Sequence, residues 1–192
     1  MAKIVFVTGG CRSGKSSFAQ RYAQELRISR RIIYLATSPI IEGDLEMSER
    51  IEKHRQDRSA AGASNGCTWQ TVEEEMDLKK IFDQCQYQYQ KEDVVILVEC
   101  LTLWVNNLLY HNPELEEENF ILQASEMISS ITTKMSSNSC VIFVSNELGM
   151  GLVPENKLSR RYRDFVGRLN QLVAQNAQEV FLVVSGISLK IK

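Results

Sequence analysis

The sequence predicts a three-layer α/β domain built on a mostly parallel sheet. Short apolar runs rich in Val and Ile recur along the chain, longer polar segments with helical spacing separate them, and the first run passes straight into a glycine-rich turn. Continuous β-branched runs suit strands buried on both faces. Strands alternating with helices imply right-handed βαβ crossovers.

Five such runs are read as strands, at residues 3–8, 31–36, 94–99, 140–145 and 179–185. Three intervening segments carry apolar stripes of helical period. In 16–26, Phe18, Tyr22 and Leu26 fall four apart; in 117–135 the stripe is built on Ile121, Ile128 and Ile131; in 160–178 it is Phe165, Leu169, Leu172 and Val173. Residues 68–72 fit a short extra strand, and 188–192 alternate as an edge strand would. The small, polar stretch 59–66 reads as a loop, and 110–118, with Pro113 and a run of acids, reads as a turn into a solvated helix start. No repeat and no long linker divides the 192 residues, so one domain is expected.

Composition narrows the class. A net charge of −2 gives no electrostatic footprint for nucleic acid or an anionic membrane. The five cysteines (Cys11, Cys67, Cys85, Cys100 and Cys140) are odd in number and lack CxxC spacing, and there are only His54 and His111. A disulfide framework or structural zinc site is therefore not expected. No run approaches the ~20 apolar residues of a membrane span, and no signal-peptide core is visible. The expectation is a soluble, cytoplasmic protein.

In a parallel sheet of this kind a ligand binds at the carboxyl ends of the strands. Gly9-Gly10-Cys11-Arg12-Ser13-Gly14-Lys15-Ser16 follows the first strand and satisfies the pattern G-x-x-x-x-G-K-[ST] of a phosphate-binding P-loop. Its glycines let backbone N–H groups wrap a phosphate, and the next helix points its positive end at the same anion. Lys15 would reach the outer phosphates, and the Ser16 hydroxyl would ligate Mg²⁺. The third run ends in Glu99, an acid at a strand tip, where a carboxylate holds Mg²⁺ directly or through water. The expected fold is thus a three-layer P-loop domain close to the RecA-like group.

Three further groups are conspicuous. Arg50, His54 and Arg58 lie i, i+4, i+8 and would share one helix face. Flanking cations favour the neutral imidazole, which can attack phosphorus, although the same spacing fits a solvated helix face. The segment 146–155 (NELGMGLVPE) follows a strand and carries glycines suited either to a ligand or to an ordinary turn. Arg160, Arg161, Arg163 and Arg168, with Asp164 among them, open the last helix and read as surface charge or a phosphate site. Trp104 and Tyr110 read as core or interface aromatics, and His111 has no assigned role. On residues alone three readings stand: a bifunctional nucleotidyl-transferring kinase, a kinase of a small alcohol, and a nucleotide-dependent regulatory protein.

Together these motifs resemble the bifunctional adenosylcobinamide kinase / adenosylcobinamide-phosphate guanylyltransferase family of cobalamin synthesis. The resemblance is carried by TGGCRSGKS at 8–16, YLATS at 34–38, ERIEKHRQDR at 49–58, WQTVEE at 69–74 and LVECLTLWVNNLL at 97–109. It continues through SNELGMGLVPE at 145–155, RYRDFVGRLNQ at 161–171 and VVSGISLKIK at 183–192. It implies that His54 is the guanylylated histidine. It also implies nucleotide contacts from Gly9 to Ser16, from Ala36, Thr37 and Ser38, from Arg55, Gln56, Asp57 and Arg58, and from Glu73 and Glu99. The implied substrates are adenosylcobinamide, its phosphate, and GTP or ATP with Mg²⁺; the implied assembly is a homotrimer. The sequence departs from the family in its longer stretch 59–68, in Cys11 where Ala is common, and in Lys53 where some members carry a second histidine.

Overall fold

The computed structural model describes residues 1–26, 28, 31–38, 67–88 and 93–192, without the side chains of 85–88. The elements are β1 (Lys3–Gly9), α1 (Lys15–Glu25), β2 (Arg31–Ala36), β3 (Thr68–Glu73), α2 (Leu78–Gln88), β4 (Val95–Glu99), α3 (Leu101–His111), α4 (Glu117–Lys134), β5 (Cys140–Asn146), α5 (Lys157–Asn176), β6 (Glu179–Val184) and β7 (Ile187–Lys190). The described strands form one sheet in the order β3-β2-β4-β5-β1-β6-β7. Every pairing is parallel except β6 with β7.

The five apolar runs are strands, and the two weaker readings hold as well: β3 pairs with β2 at one edge and β7 with β6 at the other. Strand alternation sorts the side chains onto two cores. Ile4, Phe6, Ile96, Val98, Val141 and Phe143 face one way, onto Phe82 of α2, Trp104 of α3, Phe120 of α4 and Leu169 of α5. Val5, Val7, Val95, Leu97, Ile142 and Val144 face the other way, onto Ala19 and Ala23 of α1. Helices on both faces cover strands that are apolar throughout, as the continuous runs require.

Local chemistry sets the helix ends. Asn156 caps α5, accepting from the Leu158 and Ser159 amides at 2.7 and 3.2 Å. Asp77 caps α2 by accepting from the Lys80 amide at 3.0 Å. Trp104 is a core residue, but Tyr110 is not: it is 79% exposed, with its ring edge-on to His111. No helix among the described residues is long and apolar enough to cross a membrane.

Candidate functional site

Register brings the strand tips into line. Gly9 of β1 pairs with Asn146 of β5, and Ala36 of β2 pairs with Glu99 of β4 on one side and Glu73 of β3 on the other. The predicted site residues from β1, β2, β3 and β4 therefore gather at one end of the sheet.

The glycine loop leaves β1 there. A Cβ on Gly9 would lie 2.3 Å from the Val183 carbonyl oxygen and 2.7 Å from Ser13 Oγ, so only glycine fits. Gly14 has φ of 91°, in the left-handed region, and heads α1. Between them Gly10 and Cys11 are exposed, and the Ser13 amide donates to the Gly10 carbonyl at 3.2 Å. Arg12 also takes a left-handed φ, of 56°. Lys15 is buried in the first turn of α1, its Nζ donating to the Gly10 carbonyl at 3.1 Å, while Ser16 follows at half burial. The loop's curl thus presents backbone amides, an ammonium and a helix N-terminus to one point, the arrangement that binds phosphate.

The C-terminal hairpin supports this loop. Ser185 and Gly186, with φ of 51° and 83°, form a two-residue turn between β6 and β7. The Gly186 amide donates to the Ser13 carbonyl at 2.8 Å. The segment VSGIS thus fixes the P-loop from behind.

A second set of contacts fixes the β2 and β4 tips. The Thr37 hydroxyl donates to the Cys100 carbonyl at 2.7 Å and accepts from the Cys100 amide at 2.8 Å, directly after Glu99. The Thr37 amide donates to the Glu99 carbonyl at 3.2 Å. Buried Asn107 of α3 donates through Nδ2 to the Thr37 carbonyl at 2.8 Å and to the Glu75 carbonyl at 3.1 Å. Trp104 Nε1 donates to the Met76 carbonyl at 2.8 Å. One face of α3 therefore ties together the exits of β2, β3 and β4.

On the β5 side, Asn146 Nδ2 bonds Thr102 Oγ1 at 3.3 Å, Thr102 Oγ1 lies 3.0 Å from Cys100 Sγ, and Asn170 Nδ2 donates to the Asn146 carbonyl at 3.0 Å. Tyr162 donates to the Thr102 carbonyl at 3.0 Å, and burial pushes its phenol up to about 12. Burial also raises the Cys100 thiol, outweighing the Thr102 contact, so this sulfur stays protonated. Neither group is a base at neutral pH; both position backbone.

Several buried polar atoms in and beside this end have no hydrogen-bond partner among the described residues: Thr8 Oγ1, Ser13 Oγ, Glu99 Oε2, Ser145 Oγ and Asn146 Oδ1. So many at one place mark groups whose partners come from a ligand or water. Hydroxyls can donate to phosphate oxygens, and a free carboxylate oxygen suits a hard cation. The residues present thus fit a nucleotide phosphate chain with Mg²⁺.

The structure brings Gly9 to Ser16, Ala36, Thr37, Ser38, Glu73 and Glu99 to one end of the sheet. His54, Arg55, Gln56, Asp57 and Arg58 lie outside the described residues. Asn107, Thr102, Tyr162 and Asn170 are parts of the site framework that motif reading did not single out. Asn107 and Tyr162 lie within LVECLTLWVNNLL and RYRDFVGRLNQ, but neither makes a local pattern.

Strand, glycine loop, lysine-led helix and facing acid define a P-loop domain of the RecA-like type. The fold agrees with solved structures: the RadB recombinase matches with a TM-score of 0.53 at 12% identity, covering 94% of this chain and 73% of that one. A solved phosphate-loop ATPase domain matches with a TM-score of 0.50 at 13% identity, covering 94% and 68%.

Residues 5–191 match the family described as cobinamide kinase / cobinamide phosphate guanyltransferase, and the chain belongs to that family of enzymes. It is 39% identical over 196 aligned positions to the bifunctional adenosylcobalamin biosynthesis protein CobU of Escherichia coli K12, covering 98% of this chain and 99% of the relative. It is 38% identical to CobU of Salmonella typhimurium with the same coverage, and 34% identical to CobP of Pseudomonas aeruginosa, covering 97% and 95%.

Proposed function

We propose that this chain phosphorylates the aminopropanol hydroxyl of adenosylcobinamide and then converts the product to adenosylcobinamide-GDP, using GTP, with ATP as an alternative phosphoryl donor. The observation that carries the kinase half is the strand-tip arrangement: Lys15 over the glycine loop, Ser16 at the helix start, and the buried, unpartnered Glu99 Oε2 at the tip of β4. Family membership supplies the acceptor and the second activity.

In the kinase step the acceptor hydroxyl oxygen bonds to the γ-phosphorus. The bond to the β-phosphate bridging oxygen breaks, and the hydroxyl proton is released. Lys15 and the loop amides hold the non-bridging oxygens in line. Ser16 and Glu99 would hold Mg²⁺, which supplies charge neutralisation on the phosphates when bound.

In the transferase step the His54 imidazole bonds to the α-phosphorus of GTP and pyrophosphate leaves. A phosphate oxygen of adenosylcobinamide phosphate then bonds to that phosphorus as the N–P bond breaks. The γ- and α-phosphates cannot both occupy the reacting position in one pose, so the two steps use different nucleotide poses. A covalent intermediate makes the transferase half ping-pong. We assign the active assembly as a homotrimer in the cytoplasm, on the family resemblance.

Product analysis tests this reading. With adenosylcobinamide, GTP and Mg²⁺, chromatography should resolve first a monophosphate and then the GDP adduct of the acceptor. Nucleotide hydrolysis with no acceptor product would overturn it in favour of a regulatory role, and accumulation of the monophosphate alone would reduce it to a kinase.

A further inference from the structure

Beyond the P-loop a groove of about 360 Å³ runs beside α5, lined by Glu147, Arg163, Asp164, Gly167, Arg168 and Gln171 among others. Its inner end abuts the nucleotide site, because the Glu147 amide donates to the Gly9 carbonyl at 3.0 Å. Its outer flank is the loop 150–153, where Met150 is 82%, Leu152 96% and Val153 64% exposed.

Gly167 is the unexplained residue here. It lies in the middle of the twenty-residue helix α5, where glycine is disfavoured relative to alanine. It is not among the glycines of positive φ, and a Cβ added to it would meet nothing within 4 Å. Neither backbone conformation nor packing inside the chain requires glycine at this position. What it provides is open helix backbone on the wall of the groove.

The polar lining indicates the kind of ligand. Arg168 Nε is paired with Glu117 Oε1 at 3.0 Å, and Arg163 donates to the Leu152 carbonyl at 3.3 Å, so neither guanidinium is left waiting for an anion. Glu147, Asp164 and Gln171 add acceptors, and Gln171 adds a donor. A wall with both donors and acceptors, and carboxylates offsetting the arginines, suits neutral carboxamides, which use both functions. The exposed apolar loop beside it suits methyl groups. A corrin edge carries both: neutral carboxamide arms and peripheral methyls.

We infer that this groove binds the carboxamide-bearing edge of the corrinoid acceptor, with Gly167 kept bare for its close approach and the hydroxyl arm directed toward the P-loop. The assignment rests on the functional reading above. The groove is too small for the whole macrocycle, which would lie against the 150–153 loop.

The test is equilibrium binding of cobinamide and, separately, of GTP to the full chain, with thermal unfolding, for wild type, Gly167→Ala and Gly167→Leu. Gly167→Ala should raise Tm by about 2–4 °C, since alanine favours helix, yet weaken cobinamide binding. Gly167→Leu should weaken it by about tenfold or more by filling the groove, with GTP affinity unchanged in both. A structural glycine would instead lose stability and both ligands together, and that result overturns the assignment. Unchanged cobinamide affinity in both variants also overturns it, including where the assembly mass changes. If wild type binds GTP but not cobinamide, the functional reading itself fails and the groove assignment falls with it.

Discussion

Replacing Asn107 by leucine keeps the volume of the side chain but removes the two hydrogen bonds by which α3 holds the exits of β2 and β3. Asn107 is 3% exposed and Thr37 fully buried, so the Thr37 carbonyl, which accepts from Nδ2 at 2.8 Å, would lose this donor away from solvent. Leaving one buried acceptor unmade costs roughly 2 kcal/mol, and the half-exposed Glu75 carbonyl adds about 1 kcal/mol. The sum, about 3 kcal/mol, corresponds to a Tm fall of roughly 6–12 °C for a domain of this size. The functional consequence follows from the same contacts, because the Thr37 hydroxyl brackets the Cys100 peptide directly after Glu99. Freed from Asn107, that bracket should misplace Glu99 and raise the Mg²⁺ concentration needed for half-maximal phosphoryl transfer. Urea unfolding and an Mg²⁺ titration of the kinase step read the two effects separately. Leucine accepted within about 0.5 kcal/mol of wild type, with an unaltered Mg²⁺ requirement, would refute the clamp.

Other contacts give further expectations. Glu179 accepts from Tyr22, and pairs with Lys3 at 3.1 Å and with Lys190 at 2.8 Å. Burial alone would raise its carboxyl, but the hydrogen bonds from Lys190, Tyr22 and Lys3 outweigh that and hold it at about 2 against an ordinary 4.5. A folded value below the unfolded one stabilises above pH 4.5, and the contribution fades as pH falls toward 2. Because Lys190 is half exposed, solvent screening leaves roughly 1–2 kcal/mol of this. Glu179→Gln should therefore lower the urea midpoint at pH 7 and leave it nearly unchanged near pH 2. At the P-loop, Gly9→Ala puts a Cβ 2.3 Å from the Val183 carbonyl, displacing either the loop or β6. It should abolish GTP binding by calorimetry, whereas Gly10→Ala, whose Cβ meets nothing within 4 Å, should retain the fold.

The sheet was legible because both its faces are covered, which turns each central strand into an unbroken apolar run such as VVILVE. Helix α3 was not, for the same reason. Leu101, Trp104, Val105, Leu108 and Leu109 are all buried, so its apolar positions surround much of the helix and leave no clean amphipathic stripe. Helix α2 had a cap at Asp77 and an apolar pair, Leu78 and Phe82, too little pattern to stand out from its polar neighbours. At the site, the P-loop could be read directly because its chemistry is contiguous in sequence. The Asn107–Thr37 clamp spans 70 positions and the Tyr162–Thr102 bond 60, so only the folded chain brings those partners together. The role of the C-terminal hairpin was hidden likewise. The string VSGISLKIK carried family resemblance, but its hydrogen bond to Ser13 appears only once β6 pairs with β1.

The covalent histidine intermediate is the central claim, and labelling tests it most directly. Wild type and His54→Ala are incubated with α-³²P-GTP and Mg²⁺ and resolved by denaturing electrophoresis, with GTP binding confirmed for both. The account predicts an acid-labile, alkali-stable label on wild type alone, discharged by adenosylcobinamide phosphate. A label that persists in His54→Ala, or wild type that binds GTP and takes up none, would contradict it.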